Sequence, residues 1–314
     1  MASRIITVFG ATGAQGGGLA RAILAHPASG FTVRAVTRKP DSDAGRALAK
    51  AGAEVVAADM DDPASVQRAM RGAYGAYCVT NFWEHFSPEK ELAQAAAMAD
   101  GAASAGVQHV IWSTLEDTRA FFAPDGKRMP VLMGKYNVPH FDAKGEANAL
   151  FASKVPTTLL YTSFYWDNLI HFGMGPKKGP DGVLAITLPL ADKRMSGMAA
   201  EDIGKCAFGV FKEGASHIGK SVGIAGEHLS GAQMAAELTR ALGRTVRYNA
   251  VTPEQYRGFG FPGADDLGNM FQFYAEFEDA FMRARPLEVA RRLNPDLQTF
   301  AAFLARNKDR IPLE

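Results

Sequence analysis

Residues 4–26 read RIITVFGATGAQGGGLARAILAH: an apolar run, a turn through Gly10, Gly13 and Gly16, then a segment in which Leu19, Ala20, Ile23 and Leu24 recur at helical spacing. The run is short and unbroken by polar side chains other than Thr7, which predicts a strand buried on both faces. A strand that ends on glycine and passes directly into a helix opens a βαβ unit. At such a turn the missing Cβ atoms let the backbone approach a pyrophosphate, and the helix N-terminus offers free N–H groups and a positive dipole. The spacing is GxxGxxG and not GxGxxG, so the strand–turn–helix context gives the glycines their meaning. In that context Gly10, Thr12, Gly13, Ala14, Gln15 and Gly16 are the expected dinucleotide cradle; the alternative is that the glycines only pack helix on strand.

The same rhythm runs to about residue 155. FTVRAVTR (31–38), AEVVAADM (53–60), GAYCVTN (75–81) and HVIWSTL (109–115) read as further buried strands, separated by amphipathic stretches such as PEKELAQAAAMADGAASAG (88–106). This alternation predicts an α/β fold, a Rossmann-type doubly wound parallel sheet. The expected organisation is a dinucleotide-binding domain over 1–155, its sheet completed by later segments, and a smaller C-terminal α+β domain over 156–314 for substrate or partner. Helices are expected there around 200–213, 231–242 and 287–305. Between the two, residues 117–139 carry prolines, glycines and charges and read as a long mobile loop before a helix beginning near Phe141.

Composition narrows the partners. With 314 residues, 47% hydrophobic and 21% charged, and a formal charge of +1, the chain supports a sizeable core and carries no net field for nucleic acid or a membrane surface. Cys78 and Cys206 lie in apolar runs, as buried thiols and not as a disulfide framework. No early stretch has the length of a signal-peptide core and no later one that of a spanning helix, which makes the cytoplasm the expected location. Neither HExxH nor CxxC occurs, so no metal site is expected. GASHIGKS (214–221) matches GxxxxGK[ST], yet helical spacing precedes it and a strand-like run follows, the reverse of a phosphate loop.

Cofactor choice turns on the end of the second strand. AVTRKP (35–40) has no carboxylate where an NAD ribose would need one; Arg38 and Lys39 stand there instead. A guanidinium forks onto a 2′-phosphate, which points to NADP(H). Strand ends carry ligands in such sheets. Asp59 and Met60 after the third strand are therefore expected beside an adenine, and Thr80, Asn81 and Phe82 after the fourth near the pyrophosphate and nicotinamide ribose.

VFGATGAQGG, VTRKP, GAEVVAADMDD, VTNFWE, HFDAKGE and GFPGADDLGNMFQFYA together resemble the NmrA-like family of the atypical short-chain dehydrogenase/reductase superfamily, over almost the whole chain. The resemblance implies a Rossmann-type NADP(H)-binding domain, a smaller C-terminal domain, and either redox sensing or catalysis. The superfamily's chemistry uses a serine and a YxxxK pair; the matching positions here are Ser113 and Lys144, with His140 where the tyrosine stands. Tyr136, followed by Pro139, reads as a loop residue. A histidine carries protons near neutral pH, and isoflavone-reductase-like relatives rely on the lysine alone. The resemblance further implies that Tyr165, Trp166 and Asn168 of SFYWDN close over the nicotinamide and that Lys90 reaches the cofactor. The paired acids Asp265 and Asp266 read as a solvated helix start.

The leading expectation is an NADP(H)-binding regulator in which cofactor occupancy biases residues 117–140 and reports the NADPH/NADP+ ratio to a protein partner. The alternative is an NADPH-dependent reductase of a carbonyl, quinone or imine on a small apolar substrate, with Lys144, and His140 beside it, handling the proton. A second copy of the chain is the further partner considered.

Overall fold

In the computed structural model, which describes residues 3–122 and 127–313, β1 (Arg4–Val8) lies between β2 (Phe31–Thr37) on one side and, on the other, a strand reached by a long crossover. β3 (Glu54–Ala57) lies beyond β2, and β4 (Gly75–Cys78), β5 (His109–Thr114) and β6 (Thr157–Tyr161) extend the other side. With Ser221–Gly223 at the far edge, the seven-stranded parallel sheet runs Ser221–Gly223, β6, β5, β4, β1, β2, β3. The order reverses between β1 and β4, and a crevice at such a reversal, outside the strand C-termini, is where ligands bind in open α/β sheets.

Side-chain alternation makes two cores from one sheet. Tyr77 and Ile111 face α1 (Ala14–Leu24) with its Leu19 and Ile23, and Leu48 of α2 (Asp43–Lys50) joins the same core. Ala76, Cys78 and Trp112 face the opposite layer, which comprises α3 (Pro63–Met70), α4 (Pro88–Ser104) and α5 (Pro139–Ala152). Local chemistry sets the helix starts: the Asp62 carboxylate accepts from Ala64 N–H, and Ser87 Oγ from Lys90 N–H. Each such cap contributes about 1 kcal/mol. Pro63, Pro88 and Pro139 follow at the first helical position, where a missing N–H costs nothing. Pro139 thus starts α5 two residues before the expected Phe141.

Two expectations about the second half are corrected. Helix Ala200–Glu213, expected in the smaller domain, packs on α1, with Ile203, Ala207 and Val210 in the sheet's core. Glycines on both sides allow it: a Cβ on Gly18 would lie 2.3 Å from Glu201 O, and one on Gly204 2.1 Å from Leu19 N. The single helix expected at 287–305 is two, Leu287–Leu293 and Phe300–Asn307. Pro295 interrupts them, because it lacks an N–H and restricts the residue before it.

The remainder forms two three-stranded sheets. One joins Phe164–Tyr165, Arg194–Met198 and Glu227–Ser230; the other joins Lys177–Lys178, Leu184–Leu188 and Val246–Ala250. Helices Gly231–Leu242 and Ala264–Glu276 share a third core with Trp166 and Phe300. Fully buried Arg285 bridges this part to the end of β5, bidentate to Glu116 at 2.6 and 2.9 Å.

The segment expected to be mobile is tied down in its described parts; residues 123–126 lie outside the described residues. The buried Asp142 carboxylate accepts from Thr118 N–H and Oγ1 at 2.6 Å, Asn137 N–H at 2.7 Å and Val138 N–H at 3.0 Å. Asn269 donates to the Pro130 and Asn137 carbonyls, and Gln272 to that of Arg128. GASHIGKS has helix Ala200–Glu213 before it and strand Ser221–Gly223 after it. Among the described residues no helix is long and apolar enough to cross a membrane.

Candidate functional site

At the sheet's reversal a cavity of about 740 Å³ runs from the glycine turn to the C-terminal part. Its outer end is backbone. Gly10 has φ +63°, and a Cβ on Gly16 would lie 2.5 Å from Gly10 O, so the first glycine makes the turn and the third lets helix meet strand. α1 has no side-chain cap, and the N–H groups of Ala14, Gln15 and Gly16 have no acceptor among the described residues. Three free donors at a helix N-terminus suit an anion.

Arg38 and Lys39 flank this end. Arg38 is paired with Glu84 of the short turn Phe82–Glu84; both are well exposed, 59% and 42%, so the pair is weak and open to exchange. Asp59, Met60, Thr80, Asn81 and Phe82 line the walls.

The inner end is apolar with a few polar atoms. Leu267, Met270 and Tyr274 enclose it from helix Ala264–Glu276, with Phe141 of α5 and Phe164 of the strand Phe164–Tyr165. Asn168 lines it too, and the Ser163 hydroxyl is buried on its wall without a partner among the described residues. Tyr165 also lines this end, its phenol joined to Gln15, and burial pushes the phenol up to about 12. It therefore stays protonated at neutral pH.

Lys144 and His140 stand one turn apart on α5, facing the same side. Lys144 Nζ pairs with Glu91 Oε1 at 2.6 Å and donates to Thr80 Oγ1 at 2.6 Å and Thr80 O at 3.1 Å. Burial alone would raise the Glu91 carboxyl; the charge of Lys144 and the contacts of His85, Lys144 and Thr80 outweigh it and bring it down to about 2. His140 is held by Asp266, which receives both its ring Nδ1 and its backbone N–H.

The structure brings the glycine turn, Arg38, Lys39, Asp59, Met60, Thr80, Asn81, Phe82, His140, Lys144, Tyr165 and Asn168 to one cavity. Three expected residues are absent from its lining. Ser113 shares the α1 face of β5 with Ile111, and its hydroxyl donates to Gln15 Oε1 at 2.7 Å. Trp166 alternates away from Tyr165 and is buried against Phe300 and Phe303. Lys90, on the outer face of α4, pairs with Asp61 at 2.7 Å. Gln15 is expected at the cofactor; its backbone is there, but its side chain turns inward to Tyr77, Ser113 and Tyr165.

The reading of Asp265 and Asp266 as solvated is corrected for one of them: Asp265 is exposed, Asp266 buried. Glu91 escaped the sequence reading, as did the pairing of Asp266, because their partners, Lys144 and His140, lie far along the chain. A buried-side acid within the alanine-rich face of α4 was the available signal for Glu91. Among the described residues no cluster of His, Cys, Asp and Glu has the arrangement of a metal site.

The NmrA-like family model matches residues 2–304, and the chain belongs to that family. Among curated relatives, the NmrA-like family domain-containing oxidoreductase FrzB of Cladobotryum sp is 29% identical over 304 residues, 90% of this chain and 88% of that one. Among solved structures, NmrA, a negative transcriptional regulator, in complex with NADP superposes with a TM-score of 0.76 at 23% identity, covering 97% of this chain and 95% of that one. NmrA has also been solved in complex with NAD. Citrobacter sp. triphenylmethane reductase complexed with NADP(H) superposes at 0.72 and 19% identity, over 97% of this chain and 99% of that one.

Proposed function

We propose that this member of the NmrA-like family is an NADP(H)-dependent oxidoreductase that reduces a carbonyl, quinone or imine on a small apolar substrate. The observation that carries the reading is the continuity of one cavity. A phosphate-type cradle at one end runs into an apolar chamber at the other, where His140 and Lys144 face inward. The oxidoreductase naming of FrzB and the reductase naming of the Citrobacter protein support it.

The residues present fit the cofactor. The free N–H groups of Ala14, Gln15 and Gly16 would take the pyrophosphate, Arg38 and Lys39 the 2′-phosphate, and Asp59 and Met60 the adenosine side. Lys144, Thr80 and Asn81 would hold the second ribose, and the Ser163 hydroxyl, unpartnered among the described residues, would offer a hydrogen bond at the inner end. Bound NADPH supplies a hydride. The protein's task is then to exclude water, hold the reacting groups and deliver a proton. The Tyr165 phenol is engaged by the Gln15 side chain and burial makes it a weaker acid, so that proton falls to His140.

Redox sensing is the second reading, and the Arg38–Glu84 pair favours it. A 2′-phosphate would compete with Glu84 for Arg38, so NADP(H) binding would release the turn that carries Phe82 and Trp83 and present it to a protein partner. A cofactor shifts such an equilibrium only through unequal affinity for the two states. NADPH oxidation against a panel of quinones, aldehydes, ketones and imines decides between them: turnover supports the reductase, and tight NADPH binding without turnover leaves the sensor.

A further inference from the structure

One buried carboxylate, outside the lining of the chamber, is used wholly on a histidine that does line it. Asp266 Oδ1 meets His140 Nδ1, and Oδ2 accepts the His140 backbone N–H at 3.1 Å, across 126 positions of sequence. Both residues are buried, Asp266 at 4% exposure and His140 at 6%. Asp266 lies in the first turn of helix Ala264–Glu276 and His140 in that of α5, so the N-termini of two helices face the carboxylate. The imidazole stands against Trp83, with ring centres 4.7 Å apart. Its Nε2 has no hydrogen-bond partner among the described residues and is not among the enclosed orphan atoms, while the ring lines the 740 Å³ cavity.

We propose that Asp266 is a positioning residue that makes His140 the proton carrier of the site, an inference that rests on the oxidoreductase reading. An ionised aspartate only accepts hydrogen bonds, so it fixes the hydrogen of His140 on Nδ1 and leaves Nε2 as the nitrogen that exchanges a proton with the chamber. The substrate class is a C=O or C=N compound. As its carbon receives the hydride from NADPH, the π electrons withdraw to the heteroatom, which takes the Nε2 proton of the imidazolium. Neutral imidazole remains and regains a proton from water; one hydride and one proton are consumed. Asp266 acts through His140, holding the ring and balancing the imidazolium charge.

Other charged groups around His140 are already engaged. On α5, Asp142 is bound to Thr118, and Lys144 to Glu91. On the neighbouring turn, Glu84 pairs with Arg38, and His85 stands 3.4 Å from Glu91. Asp265, next to Asp266, is exposed, and His171 also lines the cavity.

Asp266→Asn tests the proposal with little change in shape. The His140 backbone N–H can only donate, so it claims the amide oxygen and leaves the amide NH₂ against Nδ1, which must then accept. The expected result, by 15N NMR of labelled histidine in cofactor-free protein with His140→Gln for assignment, is an Nδ1–H tautomer in wild type and an Nε2–H tautomer in Asp266→Asn. In steady-state kinetics, kcat of Asp266→Asn is expected to fall about 10²- to 10⁴-fold, the range of general acid–base catalysis, with KM for NADPH unchanged and Asp265→Asn like wild type. An Nε2–H tautomer in wild type, or turnover that survives in Asp266→Asn, overturns the positioning role while the oxidoreductase reading stands. No turnover by wild type with any substrate overturns that reading and the proton carrier with it.

Discussion

The two ends of the cavity are built by opposite means. The nucleotide end is made of consecutive residues: one turn supplies its donors, and the next strand end supplies Arg38 and Lys39, exposed and loosely paired. The inner end joins residues from distant parts of the chain, Lys144 with Glu91 and His140 with Asp266, both buried. Local motifs make an end that binds and lets go; long-range buried pairs make one that holds its geometry. In water the first kind of contact is worth little, whereas a buried charge without its partner is costly.

Four substitutions would break or sharpen this contrast. The largest effect is expected at Glu91→Ala, which strands the Lys144 charge and should cost about 3–5 kcal/mol in urea denaturation. The pH dependence has a definite sign: the folded-state carboxyl titrates near 2 against an ordinary 4.5, so its stabilisation is present above about pH 4.5 and is lost as pH falls through 2. The variant's acid-unfolding curve should lack that limb, and an unchanged curve would mean the inner pair is as loose as the outer one.

Next, Arg38→Ala should weaken NADPH by about 1.5–3 kcal/mol, roughly 10- to 150-fold, the worth of a charged hydrogen bond. NADH binding, followed by calorimetry, should hardly move; equal losses for both cofactors would remove the basis for NADP(H) preference. Ser113→Ala should be smaller still, about 1 kcal/mol of stability from its lost bond to Gln15. Its NADPH affinity should match wild type if the serine lies off the cavity as described. Smallest is Asp265→Ala, within about 0.5 kcal/mol in thermal unfolding; a larger loss would show that the exposed acid shares the role of its buried neighbour.

Legibility in the sequence follows the same division. The strands IITVF, GAYC and HVIWST and the glycine turn were readable because hydrophobic pattern and turn chemistry are local. The start of α5 is misplaced by two residues, because Pro139 reads as a stop where it is the first helical residue. Helix Ala200–Glu213 was readable as a helix but not as a partner of α1, because nothing local states which apolar face it covers. Asp266 was misread for the same reason: adjacent acids look solvated until a histidine 126 positions away occupies one of them. The loop after Glu116 looked free because its anchors, Asn269 and Gln272, come from a helix formed much later in the chain.

The backbone contact of Gly18 with Glu201 and of Gly204 with Leu19 has a consequence in time. Synthesis delivers the glycine turn first and the helix that covers α1 much later; at about 5–20 residues per second the interval is roughly 10–40 s. Through that interval the nascent chain leaves the Gly18 face of α1 uncovered. A gene fragment ending near residue 155 would leave that face uncovered permanently, so the glycine turn is not a transferable cassette.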